Sequence, residues 1–233
     1  MAFPGSLSPS SIVIMKAHLT EIQAAEIGRK CGIMDRRPLD PPPVVCLQLF
    51  LVANAGTPME RVTEIADYDC VDCSGFVCEA ELFAPHDPDE SGVISPLFGD
   101  QFNPYGGAST SFNFVNCTQE LVGSTFVTAS VIEYGGRKCL VFPFADLSSK
   151  AIGDFCLRYK FFNINPNYQP VGLAGQRVQA QCWGNSFRVY SSKHAPPLKP
   201  STDLTKILAK AGISVHQRKG RQKNSPQSVE FET

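Results

Sequence analysis

No apolar run in the sequence approaches the length of a membrane span, and the one near the N-terminus, Ile12 to Met15, is too short for a signal-peptide core. The expectation is an intracellular protein with no membrane partner. Charge of one sign is also missing: 21 Lys and Arg against 22 Asp and Glu leave a net charge of −1. No global positive field draws such a chain onto nucleic acid, so any polyanion binding must come from local clusters. Histidine is scarce. The four, His18, His86, His194 and His216, fall in loops or termini, with no nucleophile elbow, phosphate loop or paired-metal spacing around them. The sequence is therefore read as non-enzymatic, without a cofactor.

What is abundant points to strands. Gly and Pro number 18 each beside 16 Phe, a mixture that suits many short strands joined by turns, and 43% hydrophobic content suffices for a full core. All-β is the leading class. Nine cysteines, an odd count without a secretory signal, read as reduced and mostly buried thiols. Cys70-x-x-Cys73 with Cys78 and His86 lacks a second paired knuckle, so no metal site is expected; nothing cationic flanks Cys70 or Cys73 to make them redox-active. Asn116-Cys117-Thr118 matches a glycosylation acceptor but is irrelevant to a chain that is not exported.

Along the chain, residues 1–17 read as a flexible N-terminal segment and residues 18–31 as a weak strand followed by a loop. Arg36-Arg37-Pro38-Leu39-Asp40-Pro41-Pro42-Pro43 is the sharpest local feature. Three consecutive prolines fix φ and force a stiff, extended track that cannot join the middle of a sheet and must run along an edge or an end. Residues 44–52 form an almost continuous apolar run, a buried strand. Residues 75–83 alternate, with Phe76, Cys78, Ala80 and Leu82 on one face. Residues 84–116 turn to Gly, Pro, Ser, Asn and Asp and read as a long loop insertion. Gly135-Gly136 between strand-like segments signals a hairpin, and residues 154–164 alternate again, with Phe155, Leu157, Tyr159 and Phe161 on one side. A last strand or strand pair holds Trp183, read as core or interface, with core preferred. Ser201 or Asp203 caps a short helix carrying Leu204, Ile207, Leu208 and Ala211, stopped by Gly212; residues 213–215 add a terminal strand. The spacing favours a sandwich or barrel.

Two basic clusters stand out. Arg29, Lys30, Arg36 and Arg37 sit on loops beside the proline track, which presents guanidinium groups at fixed geometry to phosphates or guanine edges. Arg218, Lys219, Arg221 and Lys223 form a basic C-terminal stretch suited to contacting DNA backbone or to nuclear import. The ordinary alternatives are a solvated loop and a soluble tail.

Several segments, in order, resemble the velvet family of fungal developmental regulators: Arg29-Lys30-Cys31-Gly32, the Arg-Arg-Pro-Leu-Asp-Pro-Pro-Pro element, Leu121-Val122-Gly123-Ser124, Phe142-Pro143-Phe144-Ala145-Asp146-Leu147-Ser148, Gly153 to Phe161, and Ser201 to Lys219. The interrupted middle is most similar to the VelB-like branch. The resemblance implies an immunoglobulin-like (Rel-homology-like) β-sandwich with a short C-terminal helix and a long loop insertion over 84–116. The velvet domain would occupy 18–217, followed by a basic flexible tail over 218–233. It also implies sequence-specific binding of double-stranded DNA, homo- or heterodimers with other velvet proteins, and residence in the nucleus with a cytoplasmic pool. Control of development, sporulation and secondary metabolism follows, and the eight basic residues above become the DNA contacts. From a different class comes a protein-interaction scaffold that binds a velvet partner, or a methyltransferase-like regulator, without touching DNA. Where the family carries extra basic residues, this chain has Ala24-Ala25-Glu26 and Met34-Asp35, which points to a partner that supplies part of the contacts.

Overall fold

Period-two alternation dominates the chain. The computed structural model, which describes residues 13–32, 35–69, 71–85, 114–165 and 178–218, turns it into fourteen strands, one short α-helix and a 3-10 turn. The strands are β1 (Val13–Gln23), β2 (Ile27–Arg29), β3 (Val44–Ala53), β4 (Arg61–Glu64), β5 (Phe76–Pro85), β6 (Phe114–Asn116), β7 (Leu121–Val122), β8 (Phe126–Thr128), β9 (Ser130–Tyr134), β10 (Arg137–Pro143), β11 (Ser148–Ser149), β12 (Gly153–Asn163), β13 (Ala180–Trp183) and β14 (Phe187–Tyr190); the helix is α1 (Asp203–Lys210).

Two sheets face each other in an all-β sandwich. In the first, β1, β3, β10 and β9 are antiparallel neighbours, and β4 pairs with the far half of β3 beyond the point where β10 leaves it. The second runs β2, β14, β12, β5, β6, with β13 also on β12 and β8 also on β5. Its centre is the long β12–β5 pair, from Cys156 opposite Phe83 to Asn163 opposite Phe76. β2, at one edge, runs parallel to β14. The hairpin expected at Gly135-Gly136 joins β9 to β10, and both glycines take positive φ (61° and 74°), the conformation that a two-residue hairpin loop demands.

The faces read from alternation are the buried ones. Phe76, Cys78, Ala80 and Leu82 of β5 and Phe155, Leu157, Tyr159 and Phe161 of β12 meet Leu47, Leu49, Leu140 and Phe142 of the first sheet. Phe76 and Phe161 pack edge to face, 5.2 Å between centroids, an arrangement the ring quadrupoles favour. The other side of the first sheet is covered by α1, whose Leu204 and Leu208 rest on Val44, Cys46, Ile132, Cys139 and Val141. β3 is thus enclosed on both faces over its first half, which accounts for the unbroken apolar run there.

The helix begins one residue from either cap read in the sequence. Thr202 is the N-cap, its hydroxyl accepting from Thr205 N at 3.1 Å, while Asp203 occupies the first turn, where the helix dipole favours an acid. Gly212 ends it at φ 83°. Ala211 is exposed. Residues 213–215 form no strand; Ile213 and Val215 instead pack beside α1.

Three further expectations are corrected. β1 starts at Val13, so residues 13–17, assigned to the N-terminal segment, are paired with Leu49 to Ala53. The mixed pattern after His18 has a cause: the register of β1 shifts between Glu21 and Gln23, a bulge that throws Ile22 to the helix-covered side and breaks the alternation. The rims of the 84–116 insertion are strand, since Ala84 and Pro85 belong to β5 and pair with β6; residues 86–113 lie outside the described residues. Trp183, opposite Arg158 on the outward side of β12, is not core: it stacks on Phe114, 5.1 Å between centroids, under the Arg158 guanidinium.

A polar cluster centred on Glu21 crosses the sandwich. Tyr159, fully buried on β12, donates its hydroxyl to Glu21 Oε1 of β1 at 2.8 Å, and Asn185 donates its backbone N–H to Oε2 at 2.7 Å. Burial pushes the Glu21 carboxyl above its ordinary range, against the lowering effect of the Asn185 and Tyr159 hydrogen bonds. The folded state thus holds a proton that the unfolded chain releases, so this group's effect is most favourable below the unfolded carboxylate value and declines as pH rises through the raised one. Replacing Glu21→Ala orphans a buried hydroxyl and should destabilise by about 2–3 kcal/mol, against about 1 for Tyr159→Phe. Denaturant unfolding between pH 4 and 7 should also show the wild type losing stability relative to Glu21→Gln as pH rises; a constant difference would exclude the buried carboxylate as its origin.

Candidate nucleic-acid interface

The loop arginines sit where the proline track meets the sheet edge. β2 carries the chain outward through Arg29, and Asp40 brings it back: Ile27 and Asp40 exchange backbone hydrogen bonds at 2.9 and 2.8 Å. Beyond β2, Lys30 N bonds Tyr190 O and Cys31 N bonds Ser149 O, both at 2.8 Å. On the return, Leu39 N bonds Leu147 O at 2.7 Å and Phe144 N bonds Pro43 O at 2.9 Å. The track therefore runs along an edge, as three prolines require, with each turn of backbone anchored. Gly28 is needed for the close fit: a Cβ there would lie 2.8 Å from Val189 Cγ2 and 2.9 Å from Leu39 Cδ2.

Both arginines of the proline element are paired. Arg37 meets Asp35 at 2.6 Å, a contact that raises the guanidinium pKa further, and Arg36 lies 3.7 Å from Asp146. Asp146 is itself placed by Ser124 N at 2.9 Å. Neither arginine is withdrawn from solvent, with side-chain exposures of 46% for Arg36 and 41% for Arg37, so the pairs are weak surface ones. Lys30 is exposed.

Arg218 is placed differently from the tail assigned to it. Its Nη2 bonds Asp40 Oδ1 within a largely buried ion pair, its Nε donates to Lys199 O at 3.1 Å, and its backbone N–H donates to Ser201 Oγ at 2.8 Å. Residues 178 positions apart thus clamp the C-terminal segment onto the proline track. Lys219, Arg221 and Lys223 lie outside the described residues, as do Cys70 and His86. Arg218 of the C-terminal stretch and the loop arginines come together at a cleft of about 290 Å³, lined by Arg29, Arg36, Arg37, Arg218, His216 and Asp40 together with apolar residues that include Leu39. Arg29 is partly buried: Nη2 donates to Pro196 O at 3.2 Å, while Nε is enclosed and has no hydrogen-bond partner.

Sequence reasoning found the arginines but not their partners. Asp35 and Asp146 carry no signal of pairing in the sequence, and nothing marks Asp40, Arg218 or His216 as neighbours, because only the fold brings them together. Elsewhere, the thiols of Cys73 and Cys78 are pushed up by burial, Cys78 strongly, which leaves them protonated at neutral pH. Among the described residues no group of His, Cys, Asp and Glu is arranged to hold a metal.

A profile of the velvet factor family matches residues 17–113 and 106–222. The chain is 42% identical over 205 residues to a probable velvet family sexual development regulator of Schizophyllum commune, covering 88% of this chain and 73% of that protein. It is 35% identical over 251 residues to a similarly named protein of Laccaria bicolor, covering 90% and 72%. To velvet complex subunit 2 of Gibberella moniliformis it is 35% identical over 106 residues, covering 44% of this chain and 24% of the other.

The two kinds of ion pair should separate in double-mutant cycles read by chemical denaturation. The Asp40–Arg218 coupling is expected at about 2 kcal/mol or more, since removing one member strands a buried charge. The Arg37–Asp35 coupling should stay below about 1 kcal/mol and shrink with salt. Equal couplings would show that the Arg218 clamp is no firmer than a surface contact.

Proposed function

Because the chain belongs to the velvet family, we propose that it is a regulator of sexual development that acts in the nucleus by binding double-stranded DNA as a dimer with itself or another velvet protein. One observation carries the reading: basic residues from the β2 loop, the proline element and the C-terminal segment, far apart in sequence, border a single cleft on a rigid sheet edge. Backbone hydrogen bonds fix that edge, so little conformational freedom is lost when a polyanion docks. The modest net charge fits a local rather than a global attraction. The carboxylates beside Arg36 and Arg37 temper the affinity of the chain alone, in keeping with a second velvet protein that contributes contacts.

The scaffold reading has its own support at the other edge of the second sheet. Phe114 and Val115 of β6 and Phe126 of β8 are large apolar residues exposed by 42%, 47% and 55% on short edge strands, the kind of surface that partners cover. Partner binding there and DNA binding at the cleft are compatible. A methyltransferase-like regulator is a further partner that this surface could accept.

Gel-shift titration of the chain alone and mixed with a second velvet protein tests the main reading. Affinity should fall steeply from low to moderate salt, and Arg36→Ala with Arg37→Ala should weaken it by at least ~1 kcal/mol per lost contact. Asp35→Asn and Asp146→Asn should strengthen binding by roughly two- to fivefold by releasing the same arginines. Absence of binding in every combination would leave the scaffold. That alternative predicts that Val115→Glu with Phe126→Glu abolishes association with the velvet partner in sedimentation velocity, while the arginine changes leave it intact.

A further inference from the structure

Four guanidinium groups line the cleft, and three of them are answered. Arg36 has Asp146, Arg37 has Asp35 and Arg218 has Asp40. Arg29 has no carboxylate partner among the described residues; it bonds one carbonyl oxygen, and its Nε is enclosed without any acceptor. A partly buried cation left in this state is costly, because the water it gave up has not been replaced. The arrangement therefore carries one uncompensated positive charge beside an open cleft.

We propose that this cleft seats one phosphodiester group of the DNA backbone, with Arg29 as its principal contact. The inference rests on the DNA-binding reading and names the group that the site takes. Charge favours the diester: it carries a single negative charge, equal to the deficit, whereas a free or terminal phosphate carries nearly two and would leave excess negative charge beside Asp146, Asp35 and Asp40. Geometry agrees to the extent that Nη2 spends one N–H on Pro196 O and Nε is enclosed, which leaves the Nη1 end of the Arg29 guanidinium to donate to a phosphate oxygen. The apolar part of the lining, which includes Ile27, Leu39 and Leu198, suits a sugar flanking the diester rather than a fully hydrated ion. Arg36 and Arg37, the leading DNA readers in the sequence, become secondary contacts, available once a phosphate outcompetes their carboxylates. Arg218 is a positioning residue: it closes the cleft by holding Asp40.

The test uses the full chain, with a mixed-sequence duplex of about 20 base pairs followed by fluorescence polarisation over a salt series, alone and with a second velvet protein. Arg29→Gln should weaken binding about tenfold and reduce the slope of log K against log salt by about one. Arg29→Lys should recover part of the affinity and all of the slope, which a purely structural role would not do. Thermal melting reports whether the variants fold. Should they fail to, single methylphosphonate replacements along the duplex, read on the wild-type protein, give the same answer: one position costs about tenfold and its neighbours little. Wild-type binding with an unchanged slope in Arg29→Gln, or a flat methylphosphonate profile, overturns the seat and leaves the DNA reading standing. No wild-type binding at low salt overturns both. Displacement of the duplex by millimolar inorganic phosphate beyond that by chloride at matched ionic strength would reassign the cleft to free phosphate.

Discussion

Asp40 is gripped at both its backbone and its side chain, and the shape of the basic edge follows from that. Its N–H and C=O close the return of the loop onto β2, while its carboxylate takes Arg218 from the far end of the chain. Desolvating a carboxylate and a guanidinium together is costly, and only tight mutual placement offsets it. The sheet edge, the proline track and the C-terminal segment are thereby one unit. Without the carboxylate, the Arg218 charge would lack its partner and the segment from Lys199 onward would lose one of its tethers to the track, another running through Gln23.

Electrostatics at this edge is a matter of pairing rather than of counting. A cluster of arginines in a sequence suggests a positive surface, yet Asp35, Asp40 and Asp146 answer three of the four guanidinium groups at the cleft. What distinguishes the pairs is burial. The Arg36 and Arg37 contacts are exposed and exchangeable, whereas Arg218 is committed to the fold. Charge that is free to act on a ligand is thus carried by Arg29, which meets no acid among the described residues, together with the exposed Lys30.

The all-β class, the buried faces of β5 and β12, the hairpin at Gly135-Gly136 and the helix with its glycine stop were legible because each depends on local rules of period and turn. Errors fell where tertiary context decides. A bulge at Glu21 to Gln23 hides the length of β1, since shifting register by one residue reverses which side chains face inward. Trp183 looks like core by type, but its parity on β13 points it outward. The same holds for the site: the arginines and the stiff proline track were readable, while every acidic partner and the clamp at Arg218 depend on contacts between distant segments.

The second sheet ends in two unlike borders. β2 with its cleft stands four strand intervals from β6, a distance of roughly 19 Å. Free-energy changes at positions so far apart usually add rather than interact. Substitutions at the aromatic border and at the cationic border can therefore accumulate independently, so that either border can be remodelled without disturbing the other.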